Sequence, residues 1–306
     1  MAMLNQIPIV QMLEPQLKLL RARTRTYSLA TRYMVVQLCL TVLIPVVGAI
    51  WAGFDPGVRT NFAALALLVL IADPLWLDRR YKALLKRAAR ICERFDCTVL
   101  EMRWNQFVAS DPVDVEDIHR AATKYSARHT DEMLVDWYPV AAGEAPLHLA
   151  RLICQRTNLR YDSQLRRFYS GLLIGLAAAV AVLVGAIGLF QSLMFPQWVL
   201  TLASLSPLLS WSIREYYRQQ DTADQLEDLM KSAKKLWEQA LSGQCLEPEC
   251  TLKTREFQDA IYARRVSSPL IVPLIYQLSR PYLEDEMNNA ANDFLAQYQK
   301  SAAATA

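Results

Sequence analysis

Arg151, Arg156, Arg160, Arg166 and Arg167 fall within 17 positions of this chain, a crowding that suits recognition of phosphate. A guanidinium donates through a planar fork that matches phosphate oxygens, and helix N-termini add backbone donors. Anionic lipid headgroups account for part of the cluster, most directly Arg166 and Arg167, which stand beside an apolar run. Covalent chemistry has little to work with. The chain has no phosphate-cradling Gly-rich loop, no nucleophile elbow and no His-Glu-x-x-His, and His119, His129 and His148 are scattered. His148 and Arg151 share a helical turn, which surface or core packing explains more often than catalysis does. The Cys92/Cys97 and Cys245/Cys250 pairs are wide for structural zinc and lack knuckle glycines, so they read as buried free thiols. The expectation is a protein that is not an enzyme, with no metal and no resident cofactor.

The elements that would position these groups begin with four apolar stretches: Tyr33 to Phe54, Asn61 to Leu77, Leu172 to Phe195 and Trp198 to Ile213. As helices the first three span roughly 26 to 36 Å, enough to cross a hydrocarbon core. The fourth is shorter and carries Ser and Pro. Lys plus Arg number 5 before Tyr33, 16 between Asp78 and Ser170 and 11 after Ile213, with only Arg59 in a hairpin turn. The positive-inside rule then puts both termini and the central insert in the cytoplasm and the turns "DPGVRT" and "PQ" outside. The predicted fold class is mainly α, a four-transmembrane-helix membrane protein with a mostly helical cytoplasmic domain. Residues 1–32 form a cytoplasmic segment, 33–77 a first hairpin, 78–170 the insert, 171–213 a second hairpin and 214–306 a cytoplasmic tail. The N-terminus does not read as a cleaved signal peptide. A net charge of +3 is too small to argue for a nucleic-acid polymer as partner.

Inside the spans, Gly171 and Gly175 open a small-residue face that favours close helix packing or simply fills an apolar span. Thr201, Ser204 and Ser210 recur with Pro207 at three-residue spacing, for packing or as the lining of a wet path. Asp73 is the only acid in a span, a functional candidate by its cost or an interfacial acid hydrated or paired with Arg79 and Arg80. Pro45 and Pro207 should bend their helices.

Outside the spans, Tyr81, Leu84, Leu85, Ala88, Ile91 and Phe95 form one helical stripe, and Leu226, Leu229, Met230, Ala233, Leu236, Trp237 and Leu241 form another. Both read as stalks that continue the membrane helices without a linker and pack together. "CTVLEM" is a candidate strand. Asp111-Pro112 predicts a helix to about His129, Pro146 one through Gln155, and Asp162-Ser163 the cap of a further helix entering the third span. Leu270 to Leu278 is too short to cross a bilayer and is placed in the soluble core or at the interface.

"IPIVQ…LLRARTRTYSLATR", "FDCTVLEMRWN" and above all Asp136 to Tyr169, "DWYPVAAGEAPLHLARLICQRTNLRYDSQLRRFY", resemble the SMODS-associating four-transmembrane effector family. Those proteins accompany nucleotidyltransferases of cyclic-oligonucleotide antiphage signalling (CBASS). The resemblance implies a pore-forming effector of the bacterial inner membrane, assembled as a homo-oligomer in the lipid bilayer. A cyclic di- or trinucleotide from the partner nucleotidyltransferase would bind its cytoplasmic domain and trigger ion leakage and cell death. Phosphates and flat bases call for arginine and aromatic faces, which Trp137, Tyr138, His148, Arg151, Arg156 and Tyr161 supply as candidate ligand contacts. A constitutive ion channel or transporter, or a membrane-anchored scaffold for a soluble partner, are the competing readings.

Overall fold

The computed structural model describes residues 3–54, 57, 59–190 and 194–305, and every regular element among them is helical. A short α1 (Ile7–Val10) precedes α2 (Glu14–Leu38), which runs through a π-helical turn (Cys39–Leu43) into α3 (Ile44–Phe54). α4 (Arg59–Ala72) likewise passes through a π-helical turn (Asp73–Leu77) into α5 (Asp78–Val99). The short α6 (Gln106–Ala109) and α7 (Val115–Ser126) follow, then a 3-10 turn (Val140–Glu144). Two long rods come next, α8 (Leu147–Phe190) and α9 (Phe195–Leu241), and α10 (Glu247–Ser267) and α11 (Pro273–Thr305) complete the chain.

Three stretches are long and apolar enough to cross a membrane: Glu14–Gly48, Thr60–Val99 and Leu147–Leu183. The rest of the chain covers little of their apolar surface, and Leu70 and Val182 are each 71% exposed. Bare faces of that kind suit lipid or a neighbouring subunit and would drive association in water. The fourth apolar stretch lies within α9, where the side chains of Trp198, Thr201 and Ser204 fall outside the described residues, as do Asp55 and the side chain of Gln197. α9 begins at Phe195, so Pro196 and Gln197 belong to its first turn rather than to the loop the sequence suggested. Proline fits there because the first-turn N–H groups have no helical partner.

Prolines inside the rods are accommodated locally. Pro45 stands just beyond one π-helical turn and Pro74 lies inside the other, where the widened turn absorbs a missing donor. Pro207 sits within α9 and cannot pair with the Ala203 carbonyl; Ser206 Oγ donates to that oxygen instead, at 2.8 Å. The two hairpin rods meet closely, since a Cβ on Gly48 would lie 2.5 Å from the Phe62 ring.

Beyond the spans, α5 packs on α2 and α10, while α9 lies along α8. The two predicted stripes are buried, with Leu84, Leu229 and Leu241 partly so; α5 packs mainly on α2 and α10 and α9 mainly on α8, and the ends of both stripes share the main core. Phe95, Leu100, Tyr138, Leu152 and Ile153 make the centre of the main core. The N-terminal segment clamps the loop before α8: Asn5 Nδ2 donates to the carbonyls of Ala142 (2.7 Å) and Ala145 (2.8 Å). Gly143 permits that docking, because a Cβ there would meet Pro8 at 2.7 Å.

Three further sequence expectations are corrected. "CTVLEM" is the end of α5 and a turn at Glu101, which has φ of 50°, because its apolar residues continue the buried stripe of α5. α7 starts at Val115 after the Asp114 cap position, so Pro112 precedes the helix. Asp162 and Ser163 do not start a helix, since α8 runs unbroken through them for 44 residues, about 66 Å. Asp162 instead pairs with Arg166 at 3.1 Å, and Ser163 Oγ donates to Glu227 on α9 at 3.2 Å. Leu270 lies in the connection before α11 and packs beside Tyr81 and Leu85, its amide donating to the Tyr81 hydroxyl at 3.2 Å.

Candidate functional site

The six candidate ligand contacts do not converge on one place. Tyr138 is fully buried, stacked on Phe95 with ring centroids 6.1 Å apart, and its hydroxyl donates to Asp96 Oδ1 at 2.7 Å. Its backbone N–H donates to Gln11 Oε1 (2.7 Å), and its carbonyl accepts from Gln11 Nε2 (3.1 Å). Burial first, then the Asp96 carboxylate, push the hydroxyl well above the ordinary tyrosine range, so it stays a donor. Trp137 meets Phe95 edge-on and lies under Arg23, whose guanidinium carbon is 4.5 Å from the ring centre. His148 sits 3.8 Å from Glu247, and burial pulls its pKa down despite that neighbour.

Arg151 works on the backbone. Its Nε donates to the Leu100 carbonyl and an Nη to the Glu101 carbonyl, each at 2.7 Å, closing the end of α5. A second Nη reaches Thr251 Oγ1 at 3.3 Å on α10.

Arg156 and Tyr161 are brought together. Both line a narrow groove between α8 and α11 with Arg160, Gln164, Glu286 and Leu283. The Arg156 guanidinium lies 4.4 Å over the Phe294 ring, and Tyr161 faces Tyr276 with centroids 6.1 Å apart. Among the described residues Arg156 has no carboxylate partner, and its Nε is buried without an acceptor. Burial, then the Arg160 charge, lower its pKa from the usual arginine value. Glu286 fills the groove instead. It accepts from Arg160 Nε and Nη at 3.2 Å and from Gln164 Nε2 at 2.7 and 2.8 Å.

A second constellation was not singled out from the sequence. Glu93 and Asp96 on α5 are both fully buried, and α10 answers them with Arg255, Gln258 and Arg265. Arg255 bonds Glu93 Oε1 at 2.6 Å, Gln258 Nε2 reaches both acids at 2.8 and 2.9 Å, and Arg265 pairs with Asp96. Burial and the Asp96 charge raise the Glu93 pKa, while Gln258 and Arg255 oppose the rise. The legible signal was two acids three residues apart on a stripe otherwise made of Ile91, Cys92 and Phe95. Its chemistry is that of a closed hydrogen-bonded network: it holds α5, α10 and the Tyr138 loop in one register.

In the spans, a Cβ added at Gly171 or Gly175 would meet nothing within 4 Å among the described residues, so that face is open there. Ser210 is exposed and accepts from Arg214 at 3.5 Å. Asp73 is half-buried in its π-helical turn, and among the described residues its Oδ1 has no partner. Among the described residues no three His, Cys, Asp or Glu side chains gather as a metal site. Cys245 and Cys250 are close neighbours, with sulfurs 2.8 Å apart, whereas Cys97 lies against Arg255.

A family profile described as the SMODS-associating 4TM effector domain matches residues 5–294. A probable CBASS effector molecule of Bacillus cereus (strain VD146) is 24% identical over 285 residues, covering 90% of this chain and 93% of the relative. No solved structure matches. The match takes in the Asn5 clamp, the Tyr138 loop, both long rods and the α10 network, nearly everything the structure uses to hold its polar domain to its apolar helices, and the chain belongs to the SMODS-associating 4TM effector family.

Proposed function

We propose that this protein is a membrane-disrupting effector of bacterial antiphage defence, silent until a cyclic oligonucleotide binds its polar domain. The partner is a CBASS nucleotidyltransferase, acting through its product. In this reading four helices cross the inner membrane, both termini and the polar domain lie in the cytoplasm, and several copies assemble around a leak. Four spans in one chain scarcely enclose a conducting path, and the uncovered faces of α4 and α8 offer surface for assembly.

The observation that carries the reading is the continuity of α8. Its first half bears Arg151, Arg156, Arg160 and Tyr161, and its second half is an apolar span, with no break between them. A displacement of the polar half is therefore delivered to the bilayer by a rigid rod. The ligand's task is bounded: shifting a 1:99 equilibrium to 99:1 takes about 5.5 kcal/mol of differential binding. Several charge-assisted phosphate contacts, shared over an oligomer, supply energy of that order.

The test is dye release from liposomes carrying the purified protein. A panel of cyclic di- and trinucleotides should contain at least one that raises release well above the ligand-free rate, and that ligand should also raise the melting temperature. Release that stays at the level of protein-free liposomes with every saturating member of the panel contradicts the reading. Release above that level but equal with and without ligand points to a constitutive channel.

A further inference from the structure

The groove between α8 and α11 has the composition of a phosphate site and an occupant of its own. Arg156 is half-buried, has no acidic partner among the described residues and leaves Nε without an acceptor. Arg160 and Gln164, one and two turns further along the same helix, point their donors at one carboxylate, Glu286 of α11. Aromatic rings flank these donors at either end, Phe294 under Arg156 and the Tyr161/Tyr276 pair on the other side. As it stands the groove holds only about 10 Å³, room for about one water. α11 carries Pro281 just before the groove-lining Leu283 and Glu286, which deprives the helix of one backbone bond at that point.

We infer that this groove is the seat of a phosphodiester-bearing nucleotide, and that Glu286 holds it shut by standing in for the phosphate. This rests on the function proposed above. A carboxylate and a phosphate present similar pairs of oxygens to the same forked donors, so one competes with the other. The incoming phosphate takes over the bonds from Arg160 and Gln164 and gains the unpaired Arg156. A base stacks on the half-buried Tyr161/Tyr276 pair at one end. Glu286, released to water, lets α11 swing away at Pro281, and α8 loses the contact that clamps it on that side. A lipid phosphate is the other source of this chemistry, but Arg160 precedes Leu172 by twelve residues, about 18 Å along the helix, too far from the apolar span for a headgroup.

The experiment measures affinity of the full chain in zwitterionic detergent for cyclic GMP–AMP, cyclic di-AMP, cyclic di-GMP and cyclic tri-AMP. Inorganic phosphate and short-chain phosphatidylglycerol serve as separate arms. For whichever nucleotide binds the wild type, Arg156→Lys and Arg160→Ala should each weaken binding about tenfold or more. Glu286→Gln, nearly isosteric, should tighten it by about tenfold, because the competing charge is gone. A merely structural Glu286 would give no gain. If the wild type binds a nucleotide and all three variants bind it equally well, the groove is the wrong place and the proposed function stands. If the wild type binds none of the four, both readings fall. If phosphatidylglycerol stabilises the chain as strongly as any nucleotide and Arg160→Ala abolishes that effect, the groove is a lipid site and the inference is overturned. Arg160 is 46% exposed, so its loss leaves the fold intact.

Discussion

Replacing Arg265 by alanine is expected to lower the stability of the polar domain by about 3–5 kcal/mol, the cost of stranding one member of a buried ion pair. Its partner Asp96 has no solvent exposure, and the Arg265 side chain has 18%. Tyr138 and Gln258 would still donate to the carboxylate, but neither carries charge. The loss should spread, because the same carboxylate fixes the loop at Tyr138 and the α10 face at Gln258. Unfolding followed by tryptophan fluorescence should move the melting temperature down by roughly 10 °C, taking about 2–4 °C per kcal/mol for a domain of this size. Asp96→Asn should cost less than Arg265→Ala, since the amide keeps shape and some hydrogen bonds. A shift under about 2 °C for Arg265→Ala would mean the pair does not hold the helices together.

Arg151→Ala should also be damaging, for a different reason. It leaves the buried Leu100 carbonyl at the end of α5 without its donor, while the part-buried Glu101 carbonyl can turn to water. The stranded Leu100 carbonyl costs about 1–3 kcal/mol. Arg151→Lys should rescue little, because one ammonium cannot reproduce a fork that spans two carbonyls and Thr251. The distinguishing readout is the affinity of the folded fraction for nucleotide. It should remain within a few-fold of wild type, whereas a ligand contact at Arg151 would cost tenfold or more.

The two mutations also show where the sequence was readable. Apolar runs announce spans, and the 3.6-residue stripes of α5 and α9 fall on buried faces, because both properties are summed over many residues. Helix ends were misread at Asp162 and Ser163 because their side-chain partners, Arg166 and Glu227, decide between capping and pairing. Glu227 lies on another helix, invisible to local pattern. Arg151 is ambiguous for the same reason: an arginine that contacts phosphate and one that closes a distant helix have the same local sequence. Glu93 and Asp96 could have been flagged as acids on an apolar stripe, but their answering Arg255, Gln258 and Arg265 lie 162 to 169 residues away. Arg156 and Tyr161 are both named from sequence, but the helix that carries them runs past the Gln155 end the sequence suggests, and Glu286 lies on another helix.

The central claim is that sensing and leakage are joined through unbroken helices. Its most direct measurement is nucleotide-triggered dye release from liposomes carrying a variant with Gly-Gly-Ser-Gly inserted after Ser170 in α8 and after Ser212 in α9. The account predicts unchanged nucleotide affinity with release reduced to the ligand-free background. Full triggered release from the interrupted protein would contradict it.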